Sequence, residues 1–316
     1  MKILLSDAGT VLSNNDISLD CLKEFGETVY YDSIDRQTLI REIGKYDAVL
    51  CNKTVIDRTV LESADKLKYI GLFATGYNNI DIECARERGV TVCNAGSYST
   101  DAVAQQVFAY LLEHYTKLSR YNALVHSGGW ITSPTFSMLT YPTDELAGKT
   151  IGLVGCGNIG KAVAEIAKAF KMRVLAFVRA PRDIPGVKTV SFEELLESSD
   201  IISVHCPLNS DSESLFNSAA FEKMKDGAYF INTARGAIVD DNALCRALCS
   251  GKLSGAAIDV LQTEPMEKDC VLLKAPNLII TPHTAWAPLS TRRRLLEIVS
   301  NNIRGFLNGK PQNKIV

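Results

Sequence analysis

A glycine-rich turn between an apolar strand and a helix constrains the fold of this chain more than any other feature. The turn is Gly155-Cys156-Gly157-Asn158-Ile159-Gly160. Residues 150–154 before it are short and apolar, as in a buried parallel strand. Residues 161–170 after it have apolar positions at helical spacing, and residues 173–178 form a second β-rich run. The order of strand, glycine turn, helix and strand predicts a dinucleotide-binding unit.

Each glycine of the turn has a predicted role. Gly155 allows the tight turn, Gly157 lets a pyrophosphate approach the backbone, and Gly160 lets the helix pack closely on the strand. The phosphates would then lie at the positive end of the helix dipole. The alternative is an ordinary strand-to-helix turn that happens to contain glycine.

The end of the second strand lacks the acidic residue that NAD-binding units usually place about 20 residues after the turn begins. The segment is Phe177-Val178-Arg179-Ala180-Pro181-Arg182, and the first acid after it is Asp183. Because a guanidinium pairs with phosphate through charge-assisted hydrogen bonds, Arg179 and Arg182 favour the 2′-phosphate of NADP(H). NADP(H) is therefore the predicted cofactor, with NAD(H) as the other candidate. The alternative is that both arginines are solvated loop charges.

Length, charge and cysteine content limit the class of protein. A chain of 316 residues is expected to form two domains, and 46% hydrophobic with 22% charged residues is typical of a globular protein. A net charge of −2 indicates neither nucleic acid nor a membrane surface as partner. No apolar run is long enough to span a bilayer, and the amino terminus predicts a first strand rather than a signal peptide. Nine scattered cysteines without a Cys-x-x-Cys pair indicate a reduced cytoplasmic protein without a metal site.

Strands and helices alternate along the chain. Strands are predicted at residues 2–5, 28–31, 48–51, 69–73 and 90–93, and helices at 58–63 and 82–88. An amphipathic helix is predicted to begin near Thr100 and to continue through Leu118. Later strands are predicted at 201–206, 228–233, 256–260 and 278–281, and a last helix at 290–307. With the two strands around the glycine turn they make six, the number in a doubly wound parallel sheet, whose ligands bind beyond the carboxyl ends of the strands.

Three polar residues lie at or just beyond the ends of three apolar runs: Arg235, Glu264 and His283. His283 can donate a proton to a carbonyl oxygen or accept one from a hydroxyl, because the ordinary pKa of imidazole lies near neutral pH. Glu264 would hydrogen-bond the other ring nitrogen, and Arg235 would hold a substrate carboxylate and polarise the reacting carbonyl. The trio indicates hydride transfer to and from a 2-oxo acid. The alternatives are a structural histidine and an arginine in an ion pair between domains.

Other residues at strand ends are candidates with plainer alternatives. Asp259 can accept a hydrogen bond from a nicotinamide carboxamide or cap a helix. The backbone amides of Thr75 and Gly76 can bind a carboxylate as a small nest, and Lys53 ends a neighbouring strand; turn formation is the alternative for these residues. His205 can line the cofactor. A Ser-His-Asp hydrolase is not indicated, because the chain has no Gly-x-Ser-x-Gly segment.

Several ordered motifs together resemble the D-isomer-specific 2-hydroxyacid dehydrogenases over essentially the whole chain. They are residues 74–81 (Ala-Thr-Gly-Tyr-Asn-Asn-Ile-Asp), 155–160, 232–236 (Asn-Thr-Ala-Arg-Gly), Asp259 with Glu264-Pro265, and 281–286 (Thr-Pro-His-Thr-Ala-Trp). Within this family the chain is most similar to the glycerate dehydrogenase and hydroxypyruvate reductase group, of which the context of Trp286 is typical. The arginines at 179 and 182 resemble those of the NADPH-using reductases of the group, whereas the family usually prefers NAD.

The resemblance implies a two-lobed α/β fold. A Rossmann dinucleotide-binding domain would span residues 99–287, and a flavodoxin-like substrate domain would span residues 1–98, completed by 288–316. It implies that Arg235 binds substrate, that Glu264 supports His283 as the acid–base, and that amides near Thr75 and Gly76 contact the substrate carboxylate. Cofactor contacts are implied at Asn158, Ile159, His205, Cys206, Pro207, Thr233, Ala234, Asp259 and His283. Members are generally dimers through the dinucleotide-binding domain.

The function expected from the residues and the resemblance is NAD(P)-dependent reduction of a small 2-oxo acid, such as hydroxypyruvate or glyoxylate, to the D-2-hydroxy acid. Closure of a cleft between the domains would exclude water during the reaction. One alternative is a non-catalytic NADP(H)-sensing protein, which would require none of Arg235, Glu264 and His283. Another is a dehydrogenase of a different small acid.

Overall fold

The computed structural model describes residues 1–14, 16–180 and 183–316, so the prediction for Arg182 lies outside the described residues. The chain divides into two compact units. The first unit is Met1–Ser99 with Ala287–Val316, and the second unit is Thr100–Trp286.

The first unit is built on a five-stranded parallel sheet. Its strands are β1 (Lys2–Leu5), β2 (Glu27–Tyr30), β3 (Ala48–Cys51), β4 (Tyr69–Leu72) and β5 (Thr91–Cys93). Their order in the sheet is β2-β1-β3-β4-β5, which is the order of flavodoxin-like sheets. The bounds of β1 and β3 are as predicted, β4 and β5 differ from the prediction by one residue at one end, and β2 is shifted by one residue at both ends.

Aspartates begin the first three helices, α1 (Arg36–Glu42), α2 (Arg58–Glu62) and α3 (Ile82–Glu87). The side chains of Asp35, Asp57 and Asp81 each accept a hydrogen bond from the backbone N–H three residues further on. Such N-caps satisfy donors that the helix itself leaves unpaired. The carboxyl-terminal helix, Leu289–Leu307, also belongs to this unit. Short 3-10 helices lie at Ala8–Thr10, Asp20–Phe25 and Ile43–Lys45.

The second unit is built on a seven-stranded parallel sheet. Its strands are β6 (Thr150–Val154), β7 (Arg173–Phe177), β8 (Lys188–Thr189), β9 (Ile201–Val204), β10 (Ala228–Asn232), β11 (Leu253–Ile258) and β12 (Leu278–Ile280). The order is β12-β11-β10-β9-β6-β7-β8, and every neighbouring pair is parallel. The chain order thus reverses beside β6, as in the doubly wound Rossmann sheet, with β12 added at one edge.

The prediction of six strands in this sheet was wrong by one. The missed strand, β8, has only two residues and pairs with β7 at Leu175 and Ala176. Its residues, Lys188 and Thr189, offer no apolar run or alternation that a sequence pattern could detect. The predicted strands 201–206, 228–233 and 278–281 also end earlier in the structure, and β11 begins three residues before its predicted start.

The second unit has six α-helices among its described residues. They are α4 (Thr100–Thr116), α5 (Leu118–His126), α6 (Asn158–Ala169), α7 (Phe192–Ser198), α8 (Ser218–Lys223) and α9 (Asp241–Cys249), and 3-10 helices lie at Gly236–Ile238 and Val271–Lys274. The helix predicted from near Thr100 through Leu118 is α4, but it ends two residues earlier, at Thr116, because Lys117 adopts a left-handed conformation with φ 54° and separates α4 from α5. No glycine, proline or asparagine marks this break in the sequence.

Both faces of the seven-stranded sheet are covered. Phe230 belongs to one buried apolar cluster, whereas its neighbours Tyr229 and Ile231 belong to another. Since successive side chains of a strand point to opposite faces, the two clusters lie on opposite sides of the sheet. No charged side chain can sit within such a strand without a partner, so polar chemistry is confined to the strand ends. Among the helices of the described residues, none combines the length and apolarity needed to cross a bilayer.

Candidate active site

The carboxyl ends of five neighbouring strands in the second unit carry four polar residues and one glycine that the sequence analysis predicted to bind ligands. In sheet order, His283 follows β12, Asp259 follows β11, Arg235 follows β10, His205 follows β9 and Gly155 follows β6. The strands are all parallel, so these positions share one edge of the sheet. This edge is where open α/β sheets bind their ligands.

His283 and Glu264 form a hydrogen-bonded pair. His283 Nδ1 lies 2.7 Å from one carboxylate oxygen of Glu264, and the other oxygen accepts from the backbone N–H of Leu261 at 3.0 Å. A carboxylate on Nδ1 makes this nitrogen the donor, so the second ring nitrogen, Nε2, can take part in proton exchange. The imidazole side chain is 23% exposed, which leaves it accessible to a small ligand.

Asp259 holds the turn on which His283 lies. Its buried carboxylate accepts from the Thr281 hydroxyl at 2.5 Å and from the backbone N–H groups of Thr284 at 2.9 Å and Ala285 at 2.8 Å. These donors flank His283, whose φ of 55° lies in the left-handed region that non-glycine residues rarely adopt. The alternative of a helix cap for Asp259 was therefore wrong. Sequence reasoning missed the bracing role, because its donors lie more than twenty residues away along the chain.

Arg235 occupies a polar turn after the fully buried strand β10. Its guanidinium donates to the Ala234 carbonyl at 2.7 Å, while the Asn232 side chain donates to the Arg235 carbonyl and accepts from the Ala234 N–H. Among the described residues, no carboxylate lies within ion-pair distance of Arg235. The ion pair weighed as an alternative is therefore absent from the described part of the chain, and most of the guanidinium donors can serve a ligand.

The glycine turn has the geometry that a phosphate-binding turn needs. Gly155 has φ 91°, and a Cβ there would approach the backbone of His205 and Cys206 to within 2.9 Å. A Cβ on Gly160 would lie 2.5 Å from the Gly155 carbonyl oxygen. A Cβ on Gly157, in contrast, would meet no atom within 4 Å. Two glycines are thus required by packing, whereas Gly157 leaves open space at the start of α6.

The remaining predicted cofactor contacts lie beside this turn or at the end of β10. Burial lowers the pKa of His205 to about 4, and its Nε2 lies 2.9 Å from the Ser203 hydroxyl. Burial raises the pKa of Cys206 to about 11, so both side chains are neutral near pH 7. The Thr233 hydroxyl is buried and has no hydrogen-bond partner among the described residues. An orphaned buried hydroxyl is costly, so this one points to a missing polar ligand.

Arg179 lies just beyond β7 and is exposed. None of the ion pairs within the described ranges includes it. Its position after the strand that follows the glycine turn is the one from which a side chain reaches the adenosine ribose in dinucleotide-binding folds.

In the first unit, Lys53 and the Thr75-Gly76 segment follow the neighbouring strands β3 and β4 at one sheet edge. Lys53 is exposed, and its backbone N–H donates to the buried carboxylate of Asp7, which also accepts from Asn52 and Thr54. The Thr75 hydroxyl donates to the Gly96 carbonyl. Neither the Thr75 nor the Gly76 N–H donates to another described residue, so both are available to an anion. Sequence reasoning missed Asp7, which shapes this edge.

No group of three or more His, Cys, Asp or Glu side chains suited to a metal ion occurs within residues 1–14, 16–180 and 183–316.

Comparison with known proteins identifies the family. Residues 108–285 match the family model for the D-isomer specific 2-hydroxyacid dehydrogenase, NAD binding domain. The chain belongs to the D-isomer-specific 2-hydroxyacid dehydrogenase family. The sequence resemblance and the predicted fold class, with a Rossmann domain and a second α/β domain, are thereby confirmed.

Three relatives cover most or all of this chain. A hydroxypyruvate reductase from Blautia hydrogenotrophica is 40% identical over 100% of this chain and 99% of its own length. A glyoxylate reductase from Thermofilum pendens is 37% identical over 92% of this chain and 88% of its own length. A solved structure of an acyclic imino acid reductase in complex with NADPH and D-Arg is 31% identical, has a TM-score of 0.89 and covers 100% of both chains.

A nicotinamide dinucleotide fits the residues of this 2-hydroxyacid dehydrogenase. The open space at Gly157 and the first turn of α6, which has no side-chain cap, suit a pyrophosphate. The Thr233 hydroxyl, which has no partner among the described residues, offers a polar contact.

We expect the variants Gly157→Ala and Gly160→Ala to separate an effect on cofactor binding from an effect on stability. Gly157→Ala should weaken NADPH binding by on the order of tenfold, since the methyl group takes the space of the phosphates. It should change the free energy of unfolding by less than about 0.5 kcal/mol.

Gly160→Ala is the matched variant, because its Cβ overlaps the Gly155 carbonyl. It should destabilise the fold by about 1–3 kcal/mol through overpacking. Fluorescence titration with NADPH and thermal unfolding measure the two effects. Unchanged NADPH affinity in a folded Gly157→Ala variant would contradict the assignment of the phosphate site.

Proposed function

We propose that this 2-hydroxyacid dehydrogenase uses NAD(P)H to reduce a small 2-oxo acid of the hydroxypyruvate or glyoxylate type to the D-2-hydroxy acid. The observation that carries the proposal is the 2.7 Å pair of Glu264 and His283 at the sheet edge that also carries Arg235 and the glycine turn. The names of the hydroxypyruvate reductase and glyoxylate reductase relatives support the substrate class.

The nicotinamide, when bound, supplies the hydride that carbon 2 of the substrate receives. The protein would hold the dinucleotide through the glycine turn, Asn158 and Ile159 at the start of α6, and the residues at the ends of β9, β10 and β11. The latter are His205, Cys206, Pro207, Thr233, Ala234 and Asp259. Neutral side chains at His205 and Cys206 suit the uncharged dihydronicotinamide ring of the reduced cofactor.

His283 would supply the proton to the carbonyl oxygen as the carbonyl carbon is reduced, and would remove it in the reverse reaction. With Glu264 accepting from Nδ1, the proton is exchanged at Nε2.

Arg235 would bind the substrate carboxylate and polarise its reacting carbonyl. Its guanidinium has donors to spare, because it is not engaged by a carboxylate among the described residues. For the first unit, taken by itself, we propose that the N–H groups of Thr75 and Gly76, together with Lys53, form a carboxylate-binding site. Their support is the free amide donors and the exposed ammonium at one sheet edge.

A panel of acids tests the proposed reaction. Purified enzyme with NADPH should reduce hydroxypyruvate or glyoxylate faster than pyruvate or bulkier 2-oxo acids, and should form the D-isomer of glycerate from hydroxypyruvate. His283→Ala should lower kcat by about 10²–10⁴-fold and leave NADPH binding largely intact, because it removes only the acid–base. Absorbance at 340 nm and chiral chromatography give the rates and the stereochemistry.

Glu264→Gln and Glu267→Gln are a matched pair for this experiment. Glu264→Gln should lower kcat, since a neutral amide orients the ring less well, whereas the exposed Glu267 on the same loop should tolerate the change. The panel should include 2-oxo acids mixed with ammonia, which form imino acids, because of the imino acid reductase relative. Near-wild-type turnover by His283→Ala would show that the acid–base role is misassigned.

We propose a preference for NADP(H) over NAD(H). The support is the exposed Arg179 after β7 and the lack of an acid between it and Asp183; Arg182 lies outside the described residues. Arg179→Ala should lower kcat/KM for NADPH by about tenfold and change that for NADH little, because only NADPH has the 2′-phosphate.

Lys252→Ala is the control for this charge change. It removes the same charge at the amino end of β11, on the sheet edge opposite the proposed site, where Lys252 pairs with the exposed Asp226. Lys252→Ala should change neither kcat/KM for NADPH nor kcat/KM for NADH. A wild-type protein with a clear NADH preference would refute the cofactor proposal.

We also propose a homodimer formed through the second unit. Ile131, Phe136 and Leu139 are 88%, 92% and 90% exposed in the segment after α5, and α5 itself has no buried residue. Apolar side chains concentrated in one segment mark a contact surface.

The double variant Ile131→Ser with Phe136→Ser should shift the sedimenting mass from twice 34.6 kDa to 34.6 kDa. The control variant Leu273→Ser, which changes an exposed leucine outside this segment, should leave the sedimenting mass unchanged. A monomeric wild-type protein would refute the dimer.

We propose a reducing compartment, the cytoplasm, for this enzyme. All nine cysteines lie among the described residues and none of them is in a disulfide bond, and Cys51, Cys84, Cys93 and Cys156 are buried. The support is that such thiols are typical of reducing environments.

A further inference from the structure

Tyr110, in the middle of α4, lies outside every predicted site. Its side chain is buried, and its hydroxyl lies 2.5 Å from the Thr281 hydroxyl. Thr281 directly follows β12 and precedes the turn that carries His283. The two residues are 171 positions apart in the chain, so no local sequence pattern joins them.

The direction of these hydrogen bonds follows from the donors. Thr281 donates its one hydroxyl hydrogen to the Asp259 carboxylate at 2.5 Å. Tyr110 must therefore be the donor to Thr281. Burial raises the pKa of Tyr110, so the phenol keeps the proton that it donates.

Asp259 extends this chain of hydrogen bonds to His283. Its carboxylate oxygens accept from the N–H groups of Thr284 at 2.9 Å and Ala285 at 2.8 Å, the two residues after His283. His283 has the left-handed φ of 55°, a conformation that persists only where the surroundings hold it. Thr281 and Asp259 thus connect a helix to the backbone on which the imidazole depends.

We propose that Tyr110 is a positioning residue for the acid–base: its hydroxyl orients Thr281, and through Thr281 and Asp259 fixes the backbone of the His283 turn. The inference rests on the proposed function of His283. In the described part of the chain Tyr110 forms no hydrogen bond with His283, so it acts on the rate only through the turn.

Tyr229 is the matched control. It is a tyrosine of the same unit, is fully buried, and its hydroxyl has no hydrogen-bond partner among the described residues. Tyr110→Phe and Tyr229→Phe therefore remove the same atom from two buried rings, but only the first breaks the connection to Thr281.

The test measures turnover and amide exchange in both variants. Tyr110→Phe should lower kcat by about three- to tenfold, the size expected for one lost hydrogen bond, with KM for NADPH nearly unchanged. The solvent deuterium isotope effect on kcat should rise, because proton transfer from a less ordered imidazole becomes slower. Hydrogen exchange at the Thr284 and Ala285 amides should be faster than in wild type. Tyr229→Phe should match wild type in all three measurements.

A second variant separates positioning from general destabilisation. Thr281→Val breaks the same connection but leaves Tyr110 unchanged. Adding Tyr110→Phe to this variant should cause no further loss of kcat. The inference is overturned if Tyr110→Phe keeps the wild-type kcat and isotope effect, or if the two losses multiply in the double variant. If the amide exchange changes as expected but the wild type reduces no 2-oxo or imino acid, the proposed function fails while the hydrogen-bonded connection stands.

Discussion

The buried carboxylate of Asp259 is the interaction on which the candidate site depends most directly. A charge taken out of water is tolerated only when it is fully hydrogen-bonded, and here the Thr281 hydroxyl and the N–H groups of Thr284 and Ala285 provide the donors. The same bonds hold His283 in a backbone conformation that costs about 1–3 kcal/mol. Two unfavourable features, a buried charge and a strained turn, are thus stable only together. The imidazole that results has its Nδ1 committed to Glu264.

The position of the chemistry could be predicted from the sequence, because the parallel sheet leaves few places for it. β9 and β10 are buried along their whole length, so the polar residues directly after them must lie at the strand ends. Parallel strands bring such ends to one edge. The sequence alone therefore predicts that Arg235 and His283 lie at the same sheet edge as the glycine turn. Gly155 and Gly160 were predictable for the same reason, since a tight turn and a close approach allow no side chain.

Other features depend on contacts that no local pattern records. The two residues of β8 gain their conformation from pairing with β7. The break between α4 and α5 at Lys117 could not be predicted, because no glycine or proline occurs there. The acceptor roles of Asp7 and Asp259 depend on backbone donors far along the chain. A carboxylate after a strand can cap a helix, contact a ligand or accept hydrogen bonds that stabilise a distant turn. Only the three-dimensional structure shows which of these roles it has.

Two arginines show how structural and ligand-binding groups differ in this chain. Arg292 is buried, donates to the carbonyls of Val11 and Ala287, and pairs through two nitrogens with Asp16, whose pKa that hydrogen bonding lowers to about 2. Four of its five N–H donors are used within the protein, so it has little to offer a ligand. Arg235, in contrast, donates to one backbone carbonyl and has no carboxylate partner among the described residues. A guanidinium left this way at a sheet edge gains most from a carboxylate that arrives with the substrate.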